Sequence, residues 1–477
     1  MQNLKINLPD NVNFILNAIS NNDGLGFVVG GAVRDSLLGV EPKDYDISTD
    51  LTVSQIKDIF EDYTINSPVG EKFGTVIIIM DGEKYDISTF RKSYIIEDGK
   101  TVGYEHSLKL EDDLALRDFT INAMAYNNEF GLIDLFGGQK DLENKTLRFV
   151  GDAISKIESD PARLLRAVRF YSSMSFTINP EDEKLLHKSS LINLLDKVSI
   201  QRLRHDFEGI LLGTNVFDAL MKYPELVFKM IPELKDSYKF DQNSKYHAHD
   251  VYEHTCYVVK ETEPNLIHRY SALLHDIGKP SSYTESFDEK DGRFYGHFYG
   301  HPEKSAEMVE PILKRFNYSK YFINEIKFVV FYHDFEIVEK RSCVEKLIKK
   351  IESVPYADTS EFLEAFLDVR GADRKDHINL KPFVSLEYVR NEFDVIMNER
   401  NTLKVTDLKV DGNNIKELGF KGKDIGTVLK HILSLVAGEK ISNNKIEILN
   451  YVEKNKENIL QEANDEPENQ KEDHLEI

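Results

Sequence analysis

Only two cysteines, Cys256 and Cys343, occur in the 477 residues. That excludes a disulfide framework and a cysteine-built zinc site, and leaves two inert thiols in a reducing compartment. Long apolar runs are missing as well. Hydrophobic residues make up 41% of the chain, enough to fill cores, yet no stretch approaches the roughly 18 apolar residues of a membrane span. The opening MQNLKINLPD lacks the pattern of a signal peptide. The expectation is a cytoplasmic protein with no membrane partner. Basic charge is also short: 60 Lys and Arg stand against 82 Asp and Glu, for a net charge of −22. Taken globally, that argues against a nucleic-acid binder. Part of the excess is local, because Lys456 to Ile477 carries eight acidic and two basic side chains. Residues 456–477 therefore read as an acidic disordered tail, and the rest of the chain still has room for a basic groove.

What is present is organised around Phe27 to Asp46, FVVGGAVRDSLLGVEPKDYD. Phe27 to Val29 is a short apolar run of the kind that forms a buried strand. Gly30-Gly31 breaks it, and Ala32 to Leu38 has helical spacing. A strand entering a helix through a glycine pair points backbone N–H groups and the positive dipole end at an anion such as a triphosphate. Asp44 and Asp46 follow in DYDIST, which reads as a strand with both carboxylates on one face. Paired carboxylates call for a cation between them, and a hard divalent ion with oxygen ligands answers. Alone, neither the glycine pair nor the DxD is specific. Together, in this order, they indicate nucleotidyl transfer.

The length implies about three domains. Val12 to Ser20 and Leu51 to Tyr63 have helical spacing, and Phe73 to Ile79 is a strongly β-branched strand. Asp81-Gly82 is a hairpin signal, with Lys84 to Phe90 as the returning strand. That strand carries Asp86, the candidate third carboxylate. Residues 91–106 show no clear period and are expected to form a mobile loop over the site. In LEDDLALRDFTINAMAYN, Leu114, Phe119, Ile121, Ala123 and Met124 suit a core, whereas Arg117, Asp118 and Asn122 fall where side chains reach a ribose and phosphates. The plain alternative for Arg117-Asp118 is an ion pair on a helix surface.

GGAVRD, DYD, STFR and RDFTINAMAY, in this order, resemble the head domain of class II tRNA nucleotidyltransferases and bacterial poly(A) polymerases. The likeness continues through DPARLLRAVRFY at 160–171 and VSIQRLRHDFEGILL at 198–212, and is close over about the first 230 residues. In that family the CCA-adding enzymes restore the 3′ CCA end of tRNA from CTP and ATP without a nucleic-acid template. The resemblance implies that Asp44 and Asp46 hold two Mg²⁺ ions and that Asp86 assists deprotonation of the tRNA 3′ hydroxyl. Gly30, Gly31 and Arg34 would contact the triphosphate, with Arg117 and Asp118 positioning the ribose. Asp160 and Arg163 would read the base, since an aspartate accepts from an exocyclic amine and an arginine donates to ring acceptors. Arg163, Arg166 and Arg169 share a helix with Leu164, Leu165, Val168 and Phe170, and with Lys156 they form a basic face able to bind phosphate.

Several positions depart from the family pattern. Leu116 stands where an arginine is usual, Ser159 replaces the glutamate before Asp160, Asp86 is shorter than the common glutamate, and Gln201 replaces a frequent glutamate. Within the family, Gly70 to Val76 resembles the CCA-adding enzymes, and poly(A) polymerases are more basic there. The 92–105 segment is long enough for the flexible element that full CCA adders use for the final A. A poly(A) polymerase or CC-adding enzyme remains the alternative.

A second constellation lies downstream: His254 in HDVYEHT, His275-Asp276 in ALLHDIGKP, His301 in FYGHFYGHPEKSA, His333 in FYHD and Asp373 in VRGADRKD. Imidazole with carboxylate suits a transition metal such as Mn²⁺, Ni²⁺ or Fe²⁺. The region resembles an HD-type phosphohydrolase domain. By that resemblance His254, His275, Asp276 and Asp373 are the core ligands, with His297, His301 and His333 nearby. Such a domain removes phosphomonoesters or cyclic phosphates, including a 2′,3′-cyclic phosphate on a damaged tRNA end. Its alternatives are a phosphohydrolase-only protein, or a helical domain that only holds RNA.

The expected architecture is α+β. A small mixed-sheet nucleotidyltransferase head spans 1–150. A helical neck (151–240) carries the nucleotide-reading and RNA-binding helices, followed by an HD-type helical domain (241–395). A tRNA-binding helical tail (396–455) precedes the acidic segment 456–477. In the tail, Gly422 to Gly426 would open the helix Ile425–Leu435 toward a backbone phosphate. The partners implied are tRNA, CTP and ATP, with the chain a monomer or homodimer.

Overall fold

The structure is a computed structural model, and it describes residues 5–65, 68–97, 100–244, 249–290, 292–355, 357–376, 385–401, 404–438, 440–456 and 459. The fold is α+β, with a mixed sheet in the N-terminal head and helices predominating after it. The chain divides into two units, Met1–His333 with Asp368–Asn379, and Asp334–Leu367 with Leu380–Ile477.

The head strands are β1 (Gly26–Val29), β2 (Asp46–Thr49), β3 (Thr64–Ile65), β4 (Thr75–Met80), β5 (Glu83–Thr89), β6 (Arg91–Glu97), β7 (Lys100–His106), β8 (Met124–Asn127) and β9 (Gly131–Asp134). Seven of them form one sheet in the order β3-β4-β5-β2-β1-β8-β9. Only β2 and β5 are parallel neighbours. A parallel pair needs a long crossover, and residues 50–82 supply it. A reciprocal Thr52–Gln55 capping box starts the helix Val53–Ile59. Asp81 and Gly82, at φ 52° and 82°, then turn β4 into β5, the backbone that a two-residue hairpin turn demands. All four residues of β1 are buried. Phe27 and Val29 pack with Phe90, Leu114 and Ala125 in one apolar cluster.

Two expectations for the head are corrected. The DYD segment is not strand throughout: β2 begins at Asp46, and Asp44 lies exposed just before it. Residues 91–106 are not a loop but the antiparallel hairpin β6–β7. Tyr94 opposite Tyr104 and Ile95 opposite Gly103 supply the cross-strand apolar pairing that outweighs the charged residues around them. Residues 98 and 99 lie outside the described residues. The helix Leu110–Leu116 stops before Arg117, which is extended, so Arg117 and Asp118 do not sit on a helix surface.

Beyond the head, the helices Arg163–Met174 and Ile200–Leu211 pack side by side. Ser172 Oγ donates to the Ile210 carbonyl at 2.7 Å. Gly209 admits the Arg169 stem, because a Cβ there would stand 2.4 Å from Arg169 Cδ. Further along the same unit come the helices Val251–Glu261, Leu266–Leu274, His301–Arg315 and Lys320–Tyr332. The hairpin Thr284–Asp288/Arg293–His297 adds a β element to a region expected to be helical.

In the second unit, helices Arg341–Glu352 and Leu386–Asn401 are joined by ion pairs, Arg341–Glu399 and Arg400–Glu352. Residues 404–459 build a separate core that includes Ile415, Phe420, Val428, Ile432 and Ile448. Gly422 does precede a helix, Lys423–Ala437, two residues earlier than expected. Of the acidic segment, all but Lys456 and Ile459 lies outside the described residues. No described helix is long and apolar enough to cross a membrane.

Candidate active sites

The sheet order brings the head motifs into one row. Val29 at the end of β1 is paired with Asp46 at the start of β2, and Asp46 is in register with Asp86 on β5. Gly30 caps the helix Gly31–Leu37 directly beside them at φ 74°. A Cβ on Gly30 would stand 2.8 Å from Arg117 Nη1 and 3.8 Å from Asp46 Oδ2, so glycine is required both by the backbone and by these neighbours.

Loss of solvation at the carboxyl pushes Asp46 above its ordinary range although the residue is exposed at the start of β2, and the charges of Asp86 and Asp44 add to that push against Arg117 and Arg91. Asp86 Oδ1 has no hydrogen-bond partner, although exposed Lys84 approaches it at 3.4 Å. A carboxylate held above its ordinary range beside another with an unsatisfied oxygen fits an oxygen-ligated divalent cation.

A cleft of about 520 Å³ opens over this row, lined by Asp46, Asp86, Tyr94, Arg117, Asp160 and Arg163 among others. A second depression of about 310 Å³ contains Gly30, Gly31, Arg34, Asp118, Asn122, Arg166 and Arg169. Its side chains form a chain of hydrogen bonds. Arg34 Nη1 donates to Asn122 Oδ1 at 2.8 Å, Asn122 Nδ2 donates to Asp118 Oδ1 at 3.0 Å, and Arg166 Nη1 donates to Asp118 Oδ2 at 3.0 Å. Burial opposes the charge on Asp118, but Arg166, Asn122 and the Phe119 N–H outweigh it and hold the carboxyl below its usual range. Asp118 thus pairs with Arg166 rather than with Arg117. Arg169 pairs with Asp206 at 3.1 Å.

Asp113 was not singled out from the sequence. It is buried, accepts from Ser48 Oγ at 3.2 Å, and holds Arg91 and Arg117 at 3.3 and 3.4 Å. It therefore positions Arg117 over Gly30. The signal was its place four residues before Arg117, one helical turn away. Asp160 and Arg163 both reach the cleft wall, each with partners. Arg202 Nη2 bonds both Asp160 oxygens at 3.0 and 2.8 Å. Arg163 donates to the Lys156 and Leu116 carbonyls at 2.8 and 2.9 Å and to Ser159 Oγ at 3.1 Å. Lys156, expected on the phosphate-binding face, instead donates to the Ala115 carbonyl. Burial, with Arg163 adding to it, brings its ammonium pKa down to about 8.

The second constellation also assembles. His254 is on the helix Val251–Glu261, His275-Asp276 end Leu266–Leu274, His301 begins His301–Arg315, His333 ends Lys320–Tyr332, and Asp373 is on Thr359–Lys375. His254 Nε2 is 3.1 Å from Asp373 Oδ1 and 3.4 Å from Asp276 Oδ2. Burial disfavours a charge on His254, but the hydrogen bonds it donates to Asp276, Asp373 and Asp376 raise its pKa to about 10. His301 and His333 join the cluster around Asp276. His297 does not: it bonds Ser286 Oγ at 2.6 Å and stacks on Tyr299, because the hairpin carries it away. Asp376, three residues past Asp373, was missed; it accepts from His254 Nδ1 at 2.8 Å. Buried Lys279 was missed too, 2.6 Å from Asp276 Oδ2. The grouping of imidazole and carboxylate donors fits a transition ion.

Two stretches of the chain match known domains. Residues 26–148 match the Poly A polymerase head domain, and residues 246–366 match the HD domain. The chain is 39% identical to a CCA-adding enzyme of Bacillus subtilis over 195 residues, 41% of this chain and 48% of that protein. It is 38% identical to one from Pediococcus pentosaceus over 227 residues, 46% and 55% of the two chains. The chain thus spans about half the length of the curated relatives it matches. In fold it is similar to the Bacillus stearothermophilus CCA-adding enzyme in complex with CTP, with a TM-score of 0.61 at 23% identity over 94% of this chain and 98% of the other. It is also similar to the Thermotoga maritima CCA-adding enzyme complexed with tRNA, with a TM-score of 0.54 at 20% identity over 96% and 97% of the two chains. The chain thus carries, in this order, a stretch similar to the Poly A polymerase head domain and a stretch similar to the HD domain.

Proposed function

We propose that the chain adds CMP, CMP and AMP from CTP and ATP to the 3′ end of tRNA, releasing pyrophosphate at each step. The observation that carries this is the in-register pairing of Asp46 with Asp86 beside the Gly30 turn. Carboxylates and a triphosphate cradle thereby meet across three adjacent strands. Asp44 and Asp46 are the residues to hold Mg²⁺. When bound, such ions lower the pKa of the attacking hydroxyl and neutralise charge on the leaving pyrophosphate. Asp86 takes the proton of the tRNA 3′ hydroxyl as its oxygen bonds to the α-phosphorus and the bond to pyrophosphate breaks. Gly30 and Gly31 present backbone N–H groups to the triphosphate, and Arg34 and Arg117 supply positive charge. Asp118, fixed by Arg166 and Asn122, orients the ribose. Asp160 and Arg163 read the base once the nucleotide takes the place of Arg202 on Asp160.

We assign residues 1–150 to the head, 151–240 to the neck, 241–395 to the HD domain and 396–455 to a tRNA-binding tail. The test is a tRNA ending before CCA, incubated with Mg²⁺ and CTP, ATP or both, and read at nucleotide resolution. Two additions with CTP and a third only when ATP is present support full CCA synthesis. A stop after two makes it a CC-adding enzyme, and a long ladder with ATP alone makes it a poly(A) polymerase. Asp46→Ala is expected to abolish addition and leave tRNA binding intact. A second reading concerns the HD cluster, which we assign to metal-dependent hydrolysis of phosphate esters, including a 2′,3′-cyclic phosphate on a tRNA end.

A further inference from the structure

Two depressions meet at the head site and divide its groups between them. Among the described residues, Asp86, Asp160 and Arg163 line only the larger one, and Gly30, Gly31 and Arg34 line only the smaller, of about 310 Å³. Asp46 and Arg117 line both. In phosphoryl transfer the attacking and leaving oxygens stand roughly in line on opposite sides of the phosphorus. With the attacking hydroxyl on the Asp86 side of Asp46, the leaving pyrophosphate falls in the smaller depression.

That depression is short of positive charge for such an anion. Besides Asp46, its charged walls are Arg34 on the helix Gly31–Leu37, Arg117 and Asp118 after the helix Leu110–Leu116, Arg166 and Arg169 on Arg163–Met174, and Asp206 on Ile200–Leu211. Four guanidiniums thus meet three carboxylates. Two of the cations are already paired, Arg166 with Asp118 at 3.0 Å and Arg169 with Asp206 at 3.1 Å. The Arg34 and Arg169 guanidiniums lie 5.2 and 5.3 Å from the centre of the Phe170 ring, a shared platform that brings both to one end of the depression. One surplus guanidinium does not neutralise the several charges of a pyrophosphate.

His205 stands at this end, exposed, one residue before Asp206. Its Nε2 faces Arg169 Nη1 at 3.4 Å. A guanidinium only donates, so Nε2 presents its lone pair to Arg169 and the ring is neutral in this arrangement. Histidine is the side chain that changes charge near neutral pH. An anion arriving between His205 and the guanidiniums supplies the negative field that favours a proton on the ring.

We infer that His205 is a further binding residue for the leaving pyrophosphate, which it holds as an imidazolium. One proton enters from solvent as the anion binds, and it returns to solvent as pyrophosphate departs. This rests on the reading of the head as a nucleotidyl-transfer site.

The test titrates inorganic pyrophosphate into the full chain with Mg²⁺, comparing wild type with His205→Gln and His205→Lys. Calorimetry in buffers of different ionisation enthalpy reads the protons taken up, and the comparison cancels the protonation of pyrophosphate itself. Wild type is expected to take up more protons than either variant. The Kd of His205→Gln relative to wild type should rise as pH falls, by up to about tenfold per pH unit for one linked proton. His205→Lys, a permanent cation, should restore tight binding without the extra proton. Equal proton uptake in all three proteins, with a Kd ratio independent of pH, overturns the role of His205, as does wild type that adds CMP but binds no pyrophosphate. A wild type that neither adds CMP to tRNA nor binds pyrophosphate overturns the reading of the head as well.

Discussion

At Gly30 a methyl group has no room. The backbone is at φ 74°, and the added carbon would stand 2.8 Å from the Arg117 guanidinium. Gly30→Ala is expected to cost about 1–3 kcal/mol in backbone strain and to displace Arg117 from the turn. A raised KM for CTP, with a lower unfolding midpoint, is the measurable outcome. Lys156 makes a different prediction at the same scale. Its folded pKa of about 8 lies below the roughly 10.4 of an unperturbed lysine, so below pH 8 the buried charge opposes folding. That penalty disappears as pH rises from about 8 through the unfolded value, where the unfolded chain binds more protons. Wild type should therefore gain stability relative to Lys156→Met between pH 7.5 and 9.5, as read from urea midpoints. Parallel midpoints across that interval would remove the assignment.

The hairpin β6–β7 is where an element differs most from its sequence. A segment with scattered charges and no clear period still folds as two strands, because Tyr94 and Tyr104 face each other across the ladder. Tyr94 also lines the head cleft. Shortening the hairpin to a tight turn between Arg91 and His106 removes that wall. Incorporation of CMP is expected to persist while the terminal AMP is lost, measured on tRNA ending before CCA. Undiminished AMP addition would separate the hairpin from the choice of nucleotide.

Across the whole molecule, the head row and the HD cluster use different donors: carboxylates at Asp46 and Asp86, imidazoles mainly around Asp276. Oxygen-only and nitrogen-rich sites select different ions, so the two should fail independently. Asp46→Asn is expected to remove nucleotide addition and keep the transition-metal content, and His275→Ala to do the reverse. Elemental analysis beside the addition assay reads both.

Much of the head was legible because its signals are local. The FVV run, the Gly30-Gly31 break and the Asp81-Gly82 turn act through φ/ψ limits and burial within a few residues, and they appear where the pattern puts them. The residues that became partners across the fold were not legible. Nothing in QRLRHD shows that Arg202 will clasp Asp160, or that Asp376 will orient His254 from 122 positions away. His297 and His301 sit four residues apart in one glycine-rich stretch, yet only His301 reaches the cluster. By itself, then, the sequence determined the residue types and the strand, turn and helix that carry them. Only the tertiary structure decided which carboxylates and imidazoles meet, because those distances depend on sheet order and helix packing between segments far apart in the chain.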